Sequence, residues 1–234
     1  MISEAIILAG GKGTRLQSVI PDLPKPMAPV RGKPFLEYLL KFLSAQGIKS
    51  AILSVGYEHE KIVAHFGKTF SGLNLRYAIE DRPLGTGGGI RLASSMMTGE
   101  SAIVFNGDSL FCINLNSFSA FHAANNAILS LALLPMKNFD RYGTVKVNEG
   151  NLILAFREKR PTESGLINAG VYAINRKIWE QFDFPASFSF EKDLMETHCQ
   201  GVPFYGYVED AYFIDIGIPE DYQRAQNEFE RFEN

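Results

Sequence analysis

Cysteine is nearly absent from this chain of 234 residues, which holds only Cys112 and Cys199. Two thiols cannot build a disulfide framework, and their scarcity points to a reducing compartment. An excess of one charge is also missing. Lys and Arg number 23 against 26 Asp and Glu, a net charge of −3, which excludes a generally basic nucleic-acid binder but leaves room for a local cationic pocket. Long apolar runs are lacking too. The longest, Ala127 to Met136, is interrupted by Ser130 and contains Pro135, too short and too mixed for a membrane span. Glu4 stands where a signal peptide would carry positive charge, and the apolar run Ala5 to Ala9 is short. The expectation is a cytoplasmic protein with neither nucleic acid nor membrane as partner.

What is plentiful is apolar side chain: 46% hydrophobic and 12% aromatic is too much for disorder. A chain of this size buries roughly 70% of its unfolded surface, and residues 1–234 read as a single domain. The run Ala5-Ile6-Ile7-Leu8-Ala9, stopped by Gly10-Gly11, suits a strand buried on both faces of a parallel sheet. Apolar residues from Phe35 to Leu43 recur at helical spacing. Strands are predicted at 51–56, 73–79 and 102–105, with helices near 58–66 and 90–97, so the front half alternates β-α-β-α-β-α-β. That pattern predicts a parallel sheet covered by helices. The back half is mixed. A helix at 115–124 leads to strands at 127–134, 143–147, 152–156, 171–174, 204–208 and 212–214, with helices near 190–198 and from Pro219 to about 232. Asn148-Glu149-Gly150-Asn151 has the residues of a hairpin turn.

Two local motifs carry chemistry. Leu8-Ala9-Gly10-Gly11-Lys12-Gly13-Thr14-Arg15-Leu16 follows the first strand. Its glycines let backbone N–H groups approach an anion, at the strand end where open α/β sheets place ligands. Alone it reads equally well as a tight turn with solvated Lys12 and Arg15. It is neither a Walker loop, since Gly13 is followed by Thr14-Arg15, nor a dinucleotide fingerprint, since Leu16 stands where the third glycine belongs. In Pro24-Lys25-Pro26 two prolines stiffen the backbone around one lysine, which either readies an ammonium for a phosphate or simply makes a surface turn. Each motif alone is weak, and the two together after a buried strand are strong. Four histidines, His59, His65, His122 and His198, lack metal-ligand spacing and are read as surface or core-edge residues. The cysteines are read as small buried side chains.

The pairing of these motifs resembles the sugar-1-phosphate nucleotidylyltransferase family. The resemblance continues through Pro83-Leu84-Gly85-Thr86-Gly87-Gly88, Asn106-Gly107-Asp108, Phe156-Arg157-Glu158-Lys159, Asn168-Ala169-Gly170 and Asp215-Ile216-Gly217-Ile218-Pro219. Asp140-Arg141-Tyr142-Gly143, Phe188-Ser189-Phe190-Glu191 and Tyr212-Phe213-Ile214-Asp215 look most like the members that guanylylate D-glycero-α-D-manno-heptose 1-phosphate. The resemblance implies a Rossmann-like three-layer α/β fold with a mixed, mainly parallel sheet. Its nucleotide-binding half would span about 1–110 and its sugar-phosphate-binding half about 111–234. It implies condensation of a nucleoside triphosphate with a sugar 1-phosphate, GTP and the heptose being favoured, with release of pyrophosphate and use of Mg²⁺. Arg15, Lys25 and Asp108 would be catalytic. Leu8, Ala9, Gly10, Gly11, Gly13, Thr14, Gly85, Thr86 and Gly107 would join them around the nucleotide, and Asp108 with Asp215 would hold the metal. Tyr142, Gly143, Glu158, Lys159 and Asn168 would bind the sugar phosphate. Glu80 is an acceptor suited to the N1–H and N2–H₂ of guanine, or equally a solvated strand-end residue.

Alternative acceptors or bases would keep the reaction class: mannose 1-phosphate with GTP, or a uridylyl, thymidylyl or cytidylyl transfer. A glycosyltransferase is disfavoured by the glycine loop with Lys25, and a non-catalytic nucleotide-sugar sensor by the presence of Arg15, Lys25 and Asp108. The oligomeric state is open, a homo-oligomer included. Phe188-Ser189-Phe190 is suited to a lid or a subunit contact.

Overall fold

The structure, a computed structural model, describes residues 1–11, 16 and 23–232. The front half runs β1 (Glu4–Leu8), β2 (Pro29–Val30), β3 (Lys33–Pro34), α1 (Phe35–Ala45), β4 (Ser50–Val55), α2 (His59–Phe66), β5 (Thr69–Phe70), β6 (Leu73–Ile79), α3 (Gly85–Ser94), β7 (Ser101–Asn106) and β8 (Ser109–Phe111). The back half adds α4 (Leu115–Ala124), β9 (Leu129–Phe139), β10 (Thr144–Val147), β11 (Ile153–Arg157), β12 (Thr162–Asn175), α5 (Ile178–Gln181), β13 (Tyr205–Val208), β14 (Phe213–Asp215) and α6 (Pro219–Glu228). A wide π-helical stretch covers Phe190–Glu196.

Strands β7, β1, β4 and β6 are parallel neighbours, as the alternation in the front half predicts. β12 crosses over to them, running antiparallel to β7 through Val171–Asn175. Its other partners are β9, also antiparallel, and β10. One mixed, largely parallel sheet therefore carries strands of both halves.

Alternation along each strand fills two cores. Ala5, Ile7, Leu53, Ile103 and Phe105 face a layer made by α1, α2, α4 and α6. Ile6, Ile52, Ala102 and Val104 face α3, Ile178 and the π-helical stretch. Helices on both faces explain why β1 and β7 read as unbroken apolar runs. The core is tight enough that truncating Phe105 to alanine would cost about 3–5 kcal/mol.

Three differences from the sequence reading are instructive. Helix α3 begins at Gly85, not near Ile90, so the Pro83-to-Gly88 motif is half loop and half helical turn. Its glycines are there for close packing: a Cβ on Gly87 would fall 2.2 Å from the Phe188 ring. β12 is 14 residues long because a β-bulge between Asn168 and Tyr172 lets it bend and continue. His122 is buried, its Nδ1 facing the Ser130 hydroxyl at 2.9 Å. The cysteines are free, Cys199 buried and Cys112 half-buried. Phe188 and Phe190 are both buried. Among the described residues no helix is long and apolar enough to cross a membrane.

Candidate active site

Leu8 and Asn106 are paired residues at the carboxyl ends of β1 and β7, and the Gly107 N–H donates to the Leu8 carbonyl at 2.9 Å. The loops Ala9-Gly10-Gly11 and Gly107-Asp108 thus leave the sheet side by side, at the edge where parallel sheets hold ligands. Lys25 arrives from a single 3₁₀ turn, Lys25–Met27, anchored by buried Pro26 and Met27 and closed by Met27 N–H to the Pro24 carbonyl at 2.7 Å. Its ammonium pairs with Asp108 Oδ2 and lies 3.9 Å from Asp215 Oδ1, with only 10% of the lysine side chain exposed. Asp215 reaches this point because β14 pairs antiparallel with β8, setting Asp215 against Ser109. The Ile216 N–H donates to the Asp108 carbonyl at 3.0 Å, and the Gly217 N–H to Asp215 Oδ1 at 2.7 Å. Burial and then the Asp108 charge push the Asp215 carboxyl above the usual range, against the pull of Lys25 and the Gly217 N–H. Two carboxylates and one ammonium therefore form a compact, partly desolvated charge cluster.

On the β4–β6 side, the Ala9 N–H donates to the Ser54 carbonyl at 2.8 Å. The Ser54 hydroxyl in turn donates to Glu80 Oε1 at 3.0 Å, and the Leu84 N–H to Glu80 Oε2 at 3.0 Å. Each Glu80 oxygen keeps a lone pair for a further donor, and the carboxylate is held in place. Thr86 is locked to the π-helical stretch: its hydroxyl donates to Glu191 Oε2 at 2.6 Å and accepts from the Phe190 N–H at 2.9 Å. Gly85 lies under Phe188, where a Cβ would fall 2.6 Å from the Phe188 carbonyl oxygen.

In the back half, Asn168 sits at the bulge of β12. Its amide donates to the Tyr172 hydroxyl at 3.0 Å and accepts from the Gly170 N–H at 3.0 Å. Gly170 has φ +75° and abuts the Asn106 side chain, where a Cβ would fall 2.5 Å from Asn106 Nδ2. Asn168 is thereby tied to the loop that carries Asp108. Tyr172 is fully buried, and burial, then the Glu191 carboxylate, keep its phenol protonated far above the ordinary range. Tyr142 accepts from Arg141 Nη2 at 3.0 Å and packs edge-on against Phe213, two residues before Asp215. Gly143 faces the Arg157 carbonyl across the β10–β11 pair. Glu158 and Lys159 follow on an exposed segment, and neither makes a hydrogen bond or ion pair among the described residues.

The structure thus brings together Leu8 to Gly11, Lys25, Gly107, Asp108 and Asp215. It sets Glu80 beside them and joins Thr86 to Asn168 through Glu191 and Tyr172. Gly13, Thr14 and Arg15 lie outside the described residues. Glu191, Tyr172 and Gly217 were given no role by sequence reasoning. Glu191 stood in the Phe188-to-Glu191 motif, so a carboxylate directly after a buried aromatic pair was the available signal.

Two carboxylate oxygens already converge on one positive group, and they are hard ligands of the kind Mg²⁺ prefers. Among the described residues no set of three or more His, Cys, Asp or Glu could hold a metal ion. A two-carboxylate site fits Mg²⁺, which keeps several waters and takes further oxygens from substrate phosphates.

The sequence profile of the family described as Nucleotidyl transferase matches residues 4–231. The chain belongs to this family. Among curated nucleotidyl transferases, it is 48% identical over 229 residues to the D-glycero-alpha-D-manno-heptose 1-phosphate guanylyltransferase of Aneurinibacillus thermoaerophilus, covering 98% of this chain and 99% of that one. It is 46% identical over 219 residues to the protein of the same name from Campylobacter jejuni, covering 94% and 96%. Among solved structures, HddC from Yersinia pseudotuberculosis superposes with a TM-score of 0.87 at 36% identity, covering 97% of this chain and 100% of that one, and the same protein has been solved complexed with GMP-PN. The fold is that of the nucleotide-diphospho-sugar transferases, with a mixed, mostly parallel sheet, and the chain is a nucleotidyltransferase.

Proposed function

We propose that this nucleotidyltransferase condenses GTP with D-glycero-α-D-manno-heptose 1-phosphate, giving GDP-heptose and pyrophosphate. The reading rests above all on Lys25 held between Asp108 and Asp215 at the ends of β1 and β7, in a chain nearly half identical to two relatives that bear this name. A sugar-phosphate oxygen attacks the α-phosphorus of GTP in line. The bond to the α–β bridging oxygen breaks, and its electrons leave with pyrophosphate. No protein nucleophile is needed, because the attacking phosphate is already ionised. The task of the site is to bring two anions together and to stabilise the charge on the group in transfer.

Lys25 answers that need: its stem is fixed by Pro24 and Pro26, and its side chain is only 10% exposed, which strengthens the field of its ammonium. Arg15 serves the β- and γ-phosphates. Leu8, Ala9, Gly10, Gly11, Gly13 and Thr14, with Gly107, serve the triphosphate, and Gly85 and Thr86 abut the base and ribose. Glu80, oriented by Ser54 and Leu84, accepts from the N1–H and N2–H₂ of guanine, a pair of donors that uracil and thymine lack. Asn168, Tyr142, Gly143, Glu158 and Lys159 hold the sugar and its phosphate. Asp108 and Asp215 would hold Mg²⁺, whose bound charge would lower the repulsion among phosphate oxygens. The organisation is a single domain, the nucleotide in the half before residue 110 and the sugar phosphate in the half after it, acting in the cytoplasm.

Pyrophosphate release from purified protein, magnesium and a matrix of nucleoside triphosphates and sugar 1-phosphates tests this. GTP with the heptose 1-phosphate should give the strongest signal. A stronger signal with mannose 1-phosphate or another base would remove the assigned substrate, and silence across the matrix would remove the reaction.

A further inference from the structure

Beside the charge cluster lies an open cleft of about 440 Å³, of which the reaction above uses only the Tyr142 wall. Its walls come from the end of β9, the segment before β10, the approach to β14 and the first turn of α6. Phe213 lines it, and Phe213 shares a face of β14 with Asp215 while Ile214 is buried on the other. Same-face residues on a strand stand about 6.7 Å apart, so the cleft begins one such step from the carboxylate that faces Lys25. Tyr142 forms the wall between them, its ring 6.0 Å from that of Phe213.

The polar groups of the cleft divide into two sets. Arg141 and Arg224 both pair with Asp221, the second at 3.1 Å; Arg141 also donates to the Tyr142 hydroxyl, and Arg224 lies 3.5 Å from Glu228, so both cations are already engaged. Asn138, Asp140 and Asp210 also line the cleft, and their side chains have no partner among the described residues. All three are exposed. Unpaired acceptors in a cleft that also holds the Phe213 ring suit a neutral polyol: hydroxyls donate to carboxylates while carbon-bound hydrogens pack on rings. An anionic group would meet two uncompensated negative charges there.

A heptose differs from a hexose by one hydroxymethylene on the exocyclic arm, and that arm leaves the ring across a single oxygen from the carbon bearing the phosphate. With the phosphate at Lys25, the arm is the part of the acceptor within reach of the neighbouring cleft. We propose that this cleft is the subsite for the exocyclic diol of the acceptor sugar, Asp140 and Asp210 accepting from its two hydroxyls and Phe213 packing against its carbons. The proposal rests on the heptose reading above and assigns the residues that set it apart from a mannose reading.

The test is the ratio of kcat/KM for the heptose 1-phosphate to that for mannose 1-phosphate, with GTP, in the parent, in D140A/D210A and in A211F. Losing two hydrogen bonds should lower the ratio about tenfold in the double variant. Filling the cleft in A211F should lower it further, and continued mannose 1-phosphate turnover shows that each variant is folded. A ratio unmoved in both variants, or both acceptors lost in equal measure, overturns the subsite while leaving the guanylyltransferase intact. A parent that uses neither acceptor overturns the underlying reading and the subsite with it.

Discussion

Replacing Lys25 with methionine isolates the charge at the centre of the site. Methionine keeps most of the apolar stem, so the packing around Pro26 and Met27 survives and the ammonium alone is lost. The lysine Nζ stands 3.9 Å from Asp215 Oδ1. Two unit charges at that separation interact by about 4 kcal/mol at an effective permittivity of 20. If the same ammonium serves phosphate oxygens at a similar distance during transfer, its loss raises the barrier by a comparable amount and lowers kcat/KM by about three orders of magnitude. Stability should fall as well, because losing one partner of a partly buried cluster leaves Asp108 and Asp215 facing each other uncompensated. Asp215 gains no relief from Asp108 in the variant, so its carboxyl should move still higher. Pyrophosphate release at saturating magnesium measures the first effect, and thermal melting checks the second. Turnover within about tenfold of the parent, in a variant that remains folded at the assay temperature, would refute the role given to this ammonium.

Other positions offer independent checks. Gly170→Ala forces a side chain into φ +75° and against Asn106; urea unfolding should show a loss of about 2 kcal/mol or more, with turnover reduced because Asn106 precedes Gly107-Asp108. Glu4→Gln removes a buried carboxylate that accepts from Arg76 and from the Thr98 and Gly99 N–H groups, at a cost of about 2–3 kcal/mol. Burial alone would raise the Glu4 carboxyl, but the Gly99 and Thr98 bonds and Arg76 outweigh it and hold it below 4.5. Its contribution is therefore full above pH 4.5 and lost as pH falls through the lower folded value, so the parent–variant gap in urea should narrow steadily as the pH is taken below 4.5. His122 runs the same way from a different cause. Burial lowers it from 6.5 to about 4, so the folded state holds it neutral and the parent should lose about 3 kcal/mol between those two pH values. His122→Leu should remove that slope, and an unchanged acid profile would refute the assignment.

What could be read beforehand was set by locality. The front half announced itself because each of its strands is a short apolar run followed by a helix of regular period, and burial on both faces leaves that pattern unbroken from Ala5 to Ala9 and from Ala102 to Phe105. Helix α4 was legible to the residue for the same reason: Asn114 caps it by accepting from the Ser117 N–H at 2.9 Å, and apolar positions follow at helical spacing. The start of α3 was not. A helix opening on Gly85-Thr86-Gly87-Gly88-Gly89 contradicts propensity, and crowding by Phe188 at Gly85 and Gly87, by Ala186 at Gly88 and by Ser54 and Glu80 at Gly89 explains it. The length of β12 was hidden as well, since its bulge interrupts the period-two alternation at Asn168, where the strand turns a polar side chain toward Tyr172. His122, read as a surface or core-edge residue, is buried: one ring nitrogen meets the Ser130 hydroxyl eight residues later, the other has no partner among the described residues, and nothing in the local pattern marks that arrangement.

The site divides along the same line. Lys25 and Asp108 could be placed because each lies next to a glycine or proline whose backbone consequence is local. The partners of Glu191 could not. Its carboxylate reaches Thr86, 105 residues earlier, and faces the Tyr172 hydroxyl at 3.5 Å, which in turn accepts from Asn168. No spacing rule predicts such a chain, because it depends on the crossover of β12 beside β7 and on the π-helical stretch that docks over α3. Its physical effect follows from the order of the links. Thr86, in the turn we assign to the base and ribose, bonds the Glu191 carboxylate, and Asn168, in the bulge we assign to the sugar, reaches it only through Tyr172, so the two segments belong to one hydrogen-bonded frame. A reaction limited by the approach of two anions needs that kind of common frame, and here it is built from residues that a reading by local motif passes over.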